Sequence, residues 1–165
     1  MNKFFLNLGK QPLANNYQKK FLKKQVKYNL KLYFNSKTKL VSISKRIPSE
    51  KMFNNKYPYK SSMSVTMKNS FKILSKEIKN KFNPNLLLEI GSNDGTLISN
   101  FKRNQVIGIE PCKNLAQITK KMKYQTYASY WNFDLAKKIK KKTQTIRFVV
   151  FSKYFNSYQQ SIRCF

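Results

Sequence analysis

Histidine is absent from this chain, and cysteine occurs only at Cys112 and Cys164. Without imidazole, the side chain that ordinarily titrates near neutral pH and the commonest metal ligand are both missing. Two cysteines make no disulfide framework, and with no histidine beside them they cannot complete a four-coordinate zinc site. Cys112, lacking such a partner, is also a poor candidate for a nucleophile. Apolar runs are short, so no stretch is long enough to cross a membrane. Met1–Lys10 holds Phe4, Phe5 and Leu6 but neither an extended apolar core nor a small-residue cleavage site, so it does not read as a signal peptide. A cytoplasmic location is expected.

Acidic residues are scarce as well: six Asp+Glu stand against 34 Lys+Arg, a formal net charge of +28. The lysines run along the whole chain, and arginine stands only at 46, 103, 147 and 163. The basic residues form no cluster interleaved with aromatics on one predicted element, as a built nucleic-acid surface would. Non-specific attraction to polyanions at low salt is expected all the same. A basic nucleic-acid-binding protein, or a non-catalytic nucleotide-binding scaffold, is therefore the competing reading of function. The run Lys137-Lys138-Ile139-Lys140-Lys141-Lys142 reads as a solvated helix end, favourable against the helix dipole.

What is present is a globular composition, 41% hydrophobic and 15% aromatic, with room in 165 residues for one modest domain or two small ones. Half of the scarce acids, Glu89, Asp94 and Glu110, fall in one window. Leu86–Thr96 reads LLLEIGSNDGT: a short apolar run closed by Glu89 and Ile90, then a loop bracketed by Gly91 and Gly95. Such a run fits a parallel strand covered on both faces, and the glycines fit a sharp turn that lets backbone approach a ligand. Apolar residues at 97, 98 and 101 predict a helix over 96–103. A second apolar run, Val106–Glu110, ends on an acid about 20 residues past the glycine turn, where a carboxylate can accept ribose hydroxyls. Strand, glycine loop and helix open a nucleotide-binding α/β domain.

The loop G-S-N-D-G lacks the dinucleotide spacing G-x-G-x-x-G, so NAD and FAD fit poorly. An acid just before the glycine loop resembles motif I of class I S-adenosylmethionine methyltransferases. Asn93 stands where those enzymes commonly have a further glycine, and asparagine tolerates left-handed backbone better than most residues. Together, EIGSNDGTL, GIEPCKNLA at 108–116, YPYKSSMS at 57–64 and LGKQPLANNY at 8–17 resemble the C-methyltransferases that act on nucleotide-linked deoxysugars. The resemblance covers residues 4 to about 151.

That resemblance implies a Rossmann-like α/β sheet, S-adenosylmethionine as cofactor and a nucleotide-sugar substrate. It implies Gly91, Ser92, Asn93, Asp94 and Gly95 around the methionine part of the cofactor, Glu89 near its cationic amino group and Glu110 on the ribose. Tyr59, with Tyr57 as the alternate, is the implied base; Lys56 and Lys60 beside it could lower its pKa. The family also carries an N-terminal zinc-binding domain with a C-x-x-C knuckle. Here Asn35 and Thr38 stand in those places, so no metal ligand is assigned and a degenerate version is expected.

Two regions follow, 1–66 and 67–165. In the first, Val26, Tyr28, Leu30, Leu32 and Phe34 alternate with polar or outward residues as one strand, 35–38 is a turn, and 40–43 returns as a hairpin. Pro48 and Pro58 mark a linker. In the second, helices are predicted over 68–82, 114–122 and 131–142, and strands near 125–127 and over 145–151. The resemblance implies seven strands and acid/base histidines. This chain supplies about four strands and no histidine, so a C-terminally truncated, impaired copy is expected.

Overall fold

The computed structural model describes residues 2–18, 20, 24–143, 146 and 148–152, which form two compact units divided between Met52 and Phe53. The division thus falls between Pro48 and Pro58, which mark the predicted linker, and not at the predicted boundary 66/67. Residues 53–66 belong to the second unit, because polar side chains of that unit hold their backbone, as described below.

The first unit is an antiparallel sheet in the order β1-β2-β3, with β1 at Asn2–Pro12, β2 at Lys27–Asn35 and β3 at Val41–Ile43. The hairpin of β2 and β3 lies where predicted. Asn35 closes it: its side-chain oxygen accepts from the Lys37 and Thr38 N–H groups, each at 3.0 Å. That Asx turn gives the position a backbone role. The expected alternation is partial, since every residue from Leu30 to Asn35 is half-buried and Val26, 71% exposed, lies outside the strand. None of the unit's described residues is fully buried, and Phe4 and Phe5 are about 60% exposed. A short four-residue helix, α1 at Ser49–Met52, follows the sheet.

The second unit is a parallel sheet in the order β6-β5-β4-β7: β4 at Leu87–Ile90, β5 at Val106–Ile109, β6 at Gln125–Tyr127 and β7 at Phe148–Phe151. Its helices are α2 at Val65–Phe82, α3 at Lys113–Lys121 and α4 at Phe133–Lys142. Leu88, Ile90, Ile107 and Ile109 pack on Leu135 and Ile139 of α4. On the other side Leu87 and Val106 pack on Ile78 of α2 and on Leu97, Ile98 and Phe101. Cover on both faces is why β4 and β5 carry unbroken apolar runs. Parallel order reverses at β4, which has β5 on one side and β7 on the other, and a reversal of this kind opens a crevice at the carboxyl ends of the strands.

The helix expected over 96–103 does not form. One short 3₁₀ turn at Ile98–Asn100 replaces it, and a second, Arg103–Gln105, leads into β5. Asn100 donates its side-chain amide to the Thr96 and Leu97 carbonyls, and Ser99 Oγ donates to Thr96, so side chains take the acceptors a longer helix would use. Phe101 then turns extended and buries its ring. Thr145, Arg147 and most of the segment after Phe151 lie outside the described residues. No helix among the described residues is long and apolar enough to cross a membrane.

Candidate functional site

The glycine turn leaves the carboxyl end of β4 at the point where strand order reverses. Gly91 and Gly95 both have left-handed backbone, φ 81° and 86°. At Gly95 a Cβ would also stand 2.6 Å from Thr119 Cγ2, so α3 packs against the bare backbone there. Gly108, opposite Glu89 in β5, leaves room for the Ser92 hydroxyl, which a Cβ would approach to 2.8 Å.

Four of the five N–H groups from Gly91 to Gly95 are already engaged. Gly91 and Ser92 both donate to the Ile109 carbonyl, at 2.8 and 3.0 Å, and Gly95 donates to Ser92 at 2.9 Å. Asn93 donates to Glu110 Oε2 at 2.8 Å, and the Cys112 N–H donates to Glu110 Oε1 at 2.9 Å. Glu110 is 1% exposed, and each of its oxygens accepts one of these backbone N–H groups.

Glu89 is equally buried. Burial pushes its carboxyl up to about 7; hydrogen bonding with the Ser152 side chain and the Ile98 backbone opposes that rise, and the nearby charges of Glu110 and Asp94 add to it. Among the described residues its Oε2 has no hydrogen-bond partner, and neither do Ser92 Oγ and Asn114 Oδ1. Buried polar atoms are seldom left so without a ligand or water to meet them. Ser152, just past β7, closes the far side by donating its hydroxyl to the Gly91 carbonyl at 2.9 Å.

The residues expected to act together from two distant stretches are brought together. Asn93 Oδ1 accepts from the Ser61 N–H at 2.7 Å, and its Nδ2 donates to the Tyr59 carbonyl at 3.2 Å. Asp94 Oδ2 accepts from the Ser62 N–H at 3.2 Å, while its other oxygen accepts from Thr96 Oγ1 at 2.8 Å. Asn114, at the start of α3, donates to the Tyr57 carbonyl at 2.8 Å, and Tyr130 Oη donates to the Phe53 carbonyl at 2.9 Å. Four side chains of the second unit thus hold the backbone of Phe53–Ser62. Tyr57 and Tyr59 are half-buried, and Lys56 and Lys60 are exposed. Sequence reasoning missed Asn114 and Ser152; the one available signal was an asparagine opening α3 inside GIEPCKNLA.

No protein-family model matches this chain, and no curated protein matches it. Fold and site together define an α/β protein with an acid-lined glycine turn at the carboxyl edge of a parallel sheet.

Proposed function

We propose that the second unit binds S-adenosylmethionine at the glycine turn, and that the chain is of the class I methyltransferase type, directed to carbon methylation of a nucleotide-linked deoxysugar. The observation that carries this reading is the polarity of the turn. Phosphate-binding glycine loops offer free backbone N–H groups to an anion. Here the N–H groups of Gly91, Ser92, Asn93 and Gly95 are bonded within the chain, and the side chains around them are Glu89, Asp94 and Glu110. Three buried or nearly buried carboxylates repel a pyrophosphate and favour a cation.

The residues fit such a cofactor. Glu89 Oε2, buried and without a partner among the described residues, would meet the amino group of the methionine part. Glu110, whose carboxylate is an acceptor at the tip of β5, would accept from the ribose hydroxyls. The sulfonium supplies an electrophilic methyl group. Tyr59, held to the turn through its carbonyl, would in its phenolate form accept at Oη the proton from the carbon to be methylated and so become the neutral phenol. The sugar substrate rests on the resemblance of the YPYKSSMS and LGKQPLANNY stretches.

Titration of S-adenosylhomocysteine into isotope-labelled protein tests the cofactor reading. The amide signals of Gly91, Asn93 and Cys112 are expected to shift together and saturate. Shifts confined to the lysine-rich helix surfaces would instead favour a non-specific polyion.

A further inference from the structure

Asn93 stands where two parts of the site meet, and its polar groups face both. Its backbone N–H donates to Glu110 Oε2, while its carboxamide accepts from the Ser61 N–H and donates to the Tyr59 carbonyl. Residues 59 and 61 flank Lys60, whose backbone is extended at φ −118° and ψ 129°. One planar amide therefore meets an acceptor and a donor along a single edge of extended chain, the pairing a neighbouring strand would make. A carboxamide alone satisfies both: aspartate has no donor, and glycine has neither group. Asn93 is also 3% exposed with φ 51°, a backbone region that asparagine enters more readily than other residues with a side chain. Left-handed backbone and a carboxamide together select asparagine at this position.

We infer that Asn93 is a positioning residue that fixes Tyr57–Ser62, and Tyr59 with it, against the turn and Glu110, so that engaging Glu110 and placing Tyr59 are coupled. A hydroxyl donor arriving at Glu110 shares its acceptor with the Asn93 N–H, and so acts on the residue whose side chain holds Tyr59 and Ser61. Asp94 and Asn114 hold the same segment at Ser62 and Tyr57; Asn93 adds the bond to Glu110. The identity of the occupant rests on the cofactor reading above, whereas the clasp does not.

Asn93→Gly keeps the left-handed backbone and the N–H and removes only the carboxamide. Amide exchange is followed by NMR on the full chain, with and without saturating S-adenosylhomocysteine. In the ligand-free variant the Ser61 amide exchanges roughly tenfold to a hundredfold faster than in wild type, the loss of one buried hydrogen bond. Gly91 and Ser92, bonded to Ile109, keep their protection and show that the turn is folded. Asn93→Asp, which keeps the acceptor and loses the donor, falls between the two. Ligand slows Ser61 exchange further in wild type but not in Asn93→Gly. Unchanged Ser61 exchange in the variant overturns the clasp, as does joint loss of protection at Ser61, Gly91 and Ser92. Equal slowing by ligand in both proteins overturns the coupling. Failure of the wild type to bind the ligand overturns the cofactor reading and the coupling with it, and the ligand-free comparison still decides the clasp.

Discussion

The backbone N–H of Asn93 donates to Oε2 of Glu110 across 2.8 Å, and that bond joins the loop after β4 to the tip of β5. With the Cys112 N–H on the other oxygen, one buried carboxylate organises two backbone turns before any ligand arrives. Glu110→Ala leaves both donors buried without an acceptor. We expect it to lower stability by about 1–3 kcal/mol, the cost of orphaned buried polar groups. Glu110→Gln, which keeps an acceptor, should cost less. Urea unfolding of the three proteins measures this, and equal midpoints would show that Glu110 does not hold the turns.

Glu89 predicts a pH dependence. Its carboxyl is raised from 4.5 to about 7 in the folded chain, so between those values the native state binds more protons than the unfolded state. Stability from this group is therefore fully present below about pH 4.5, declines as pH rises to about 7, and is flat above that. The whole decline is on the order of 3 kcal/mol. Glu89→Gln, neutral at every pH, should remove that limb from a plot of unfolding free energy against pH. A variant curve parallel to wild type would show that Glu89 titrates as an ordinary carboxylate.

Gly95 serves both conformation and space. With φ 86° and Thr119 Cγ2 at 2.6 Å from any added Cβ, Gly95→Ala should cost about 1–3 kcal/mol in strain and displacement. Adding Thr119→Ser removes the clashing methyl and should restore part of that loss, leaving the left-handed strain. Thermal unfolding of the single and double variants separates the two contributions; no recovery in the double variant would assign the whole cost to backbone conformation.

Ser64, the last residue of YPYKSSMS, caps α2: its hydroxyl accepts from the Met67 N–H at 3.2 Å. Ser64→Ala should destabilise the fold by about 1 kcal/mol. Binding of S-adenosylhomocysteine should stay unchanged, because the cap faces the helix rather than the turn. A loss of affinity without loss of stability would move Ser64 into the site.

The short elements of the second unit were legible because each has a local signature. Leu87–Ile90 and Val106–Ile109 are apolar runs with no polar alternation, and Leu135 and Ile139 lie one helical turn apart. The strand β1 was not legible. Its pairing with β2 slips between Phe4 and Leu6 and between Asn7 and Lys10, and Gly9 turns to φ 71°, so no period of two survives. The helix over 96–103 failed for another reason: periodicity at 97, 98 and 101 counts apolar faces and is blind to the back-bonding of Ser99 and Asn100. In the site, residue types at 89, 91, 95 and 110 announced an acid-lined turn. Asn93 read only as a tolerated replacement for glycine, because its partners Tyr59 and Ser61 lie more than thirty residues away and sequence gives no sign of their approach.

Calorimetric titration of S-adenosylmethionine into wild type, Glu110→Ala and Glu110→Gln tests the cofactor reading most directly. The account predicts saturable one-to-one binding by wild type at physiological salt, where attraction between the basic surface and polyanions is screened. Removing the ribose acceptor in Glu110→Ala should weaken that binding by about 1–3 kcal/mol, with Glu110→Gln intermediate. Absence of binding by the folded wild-type chain, or equal affinity in all three proteins, would contradict it.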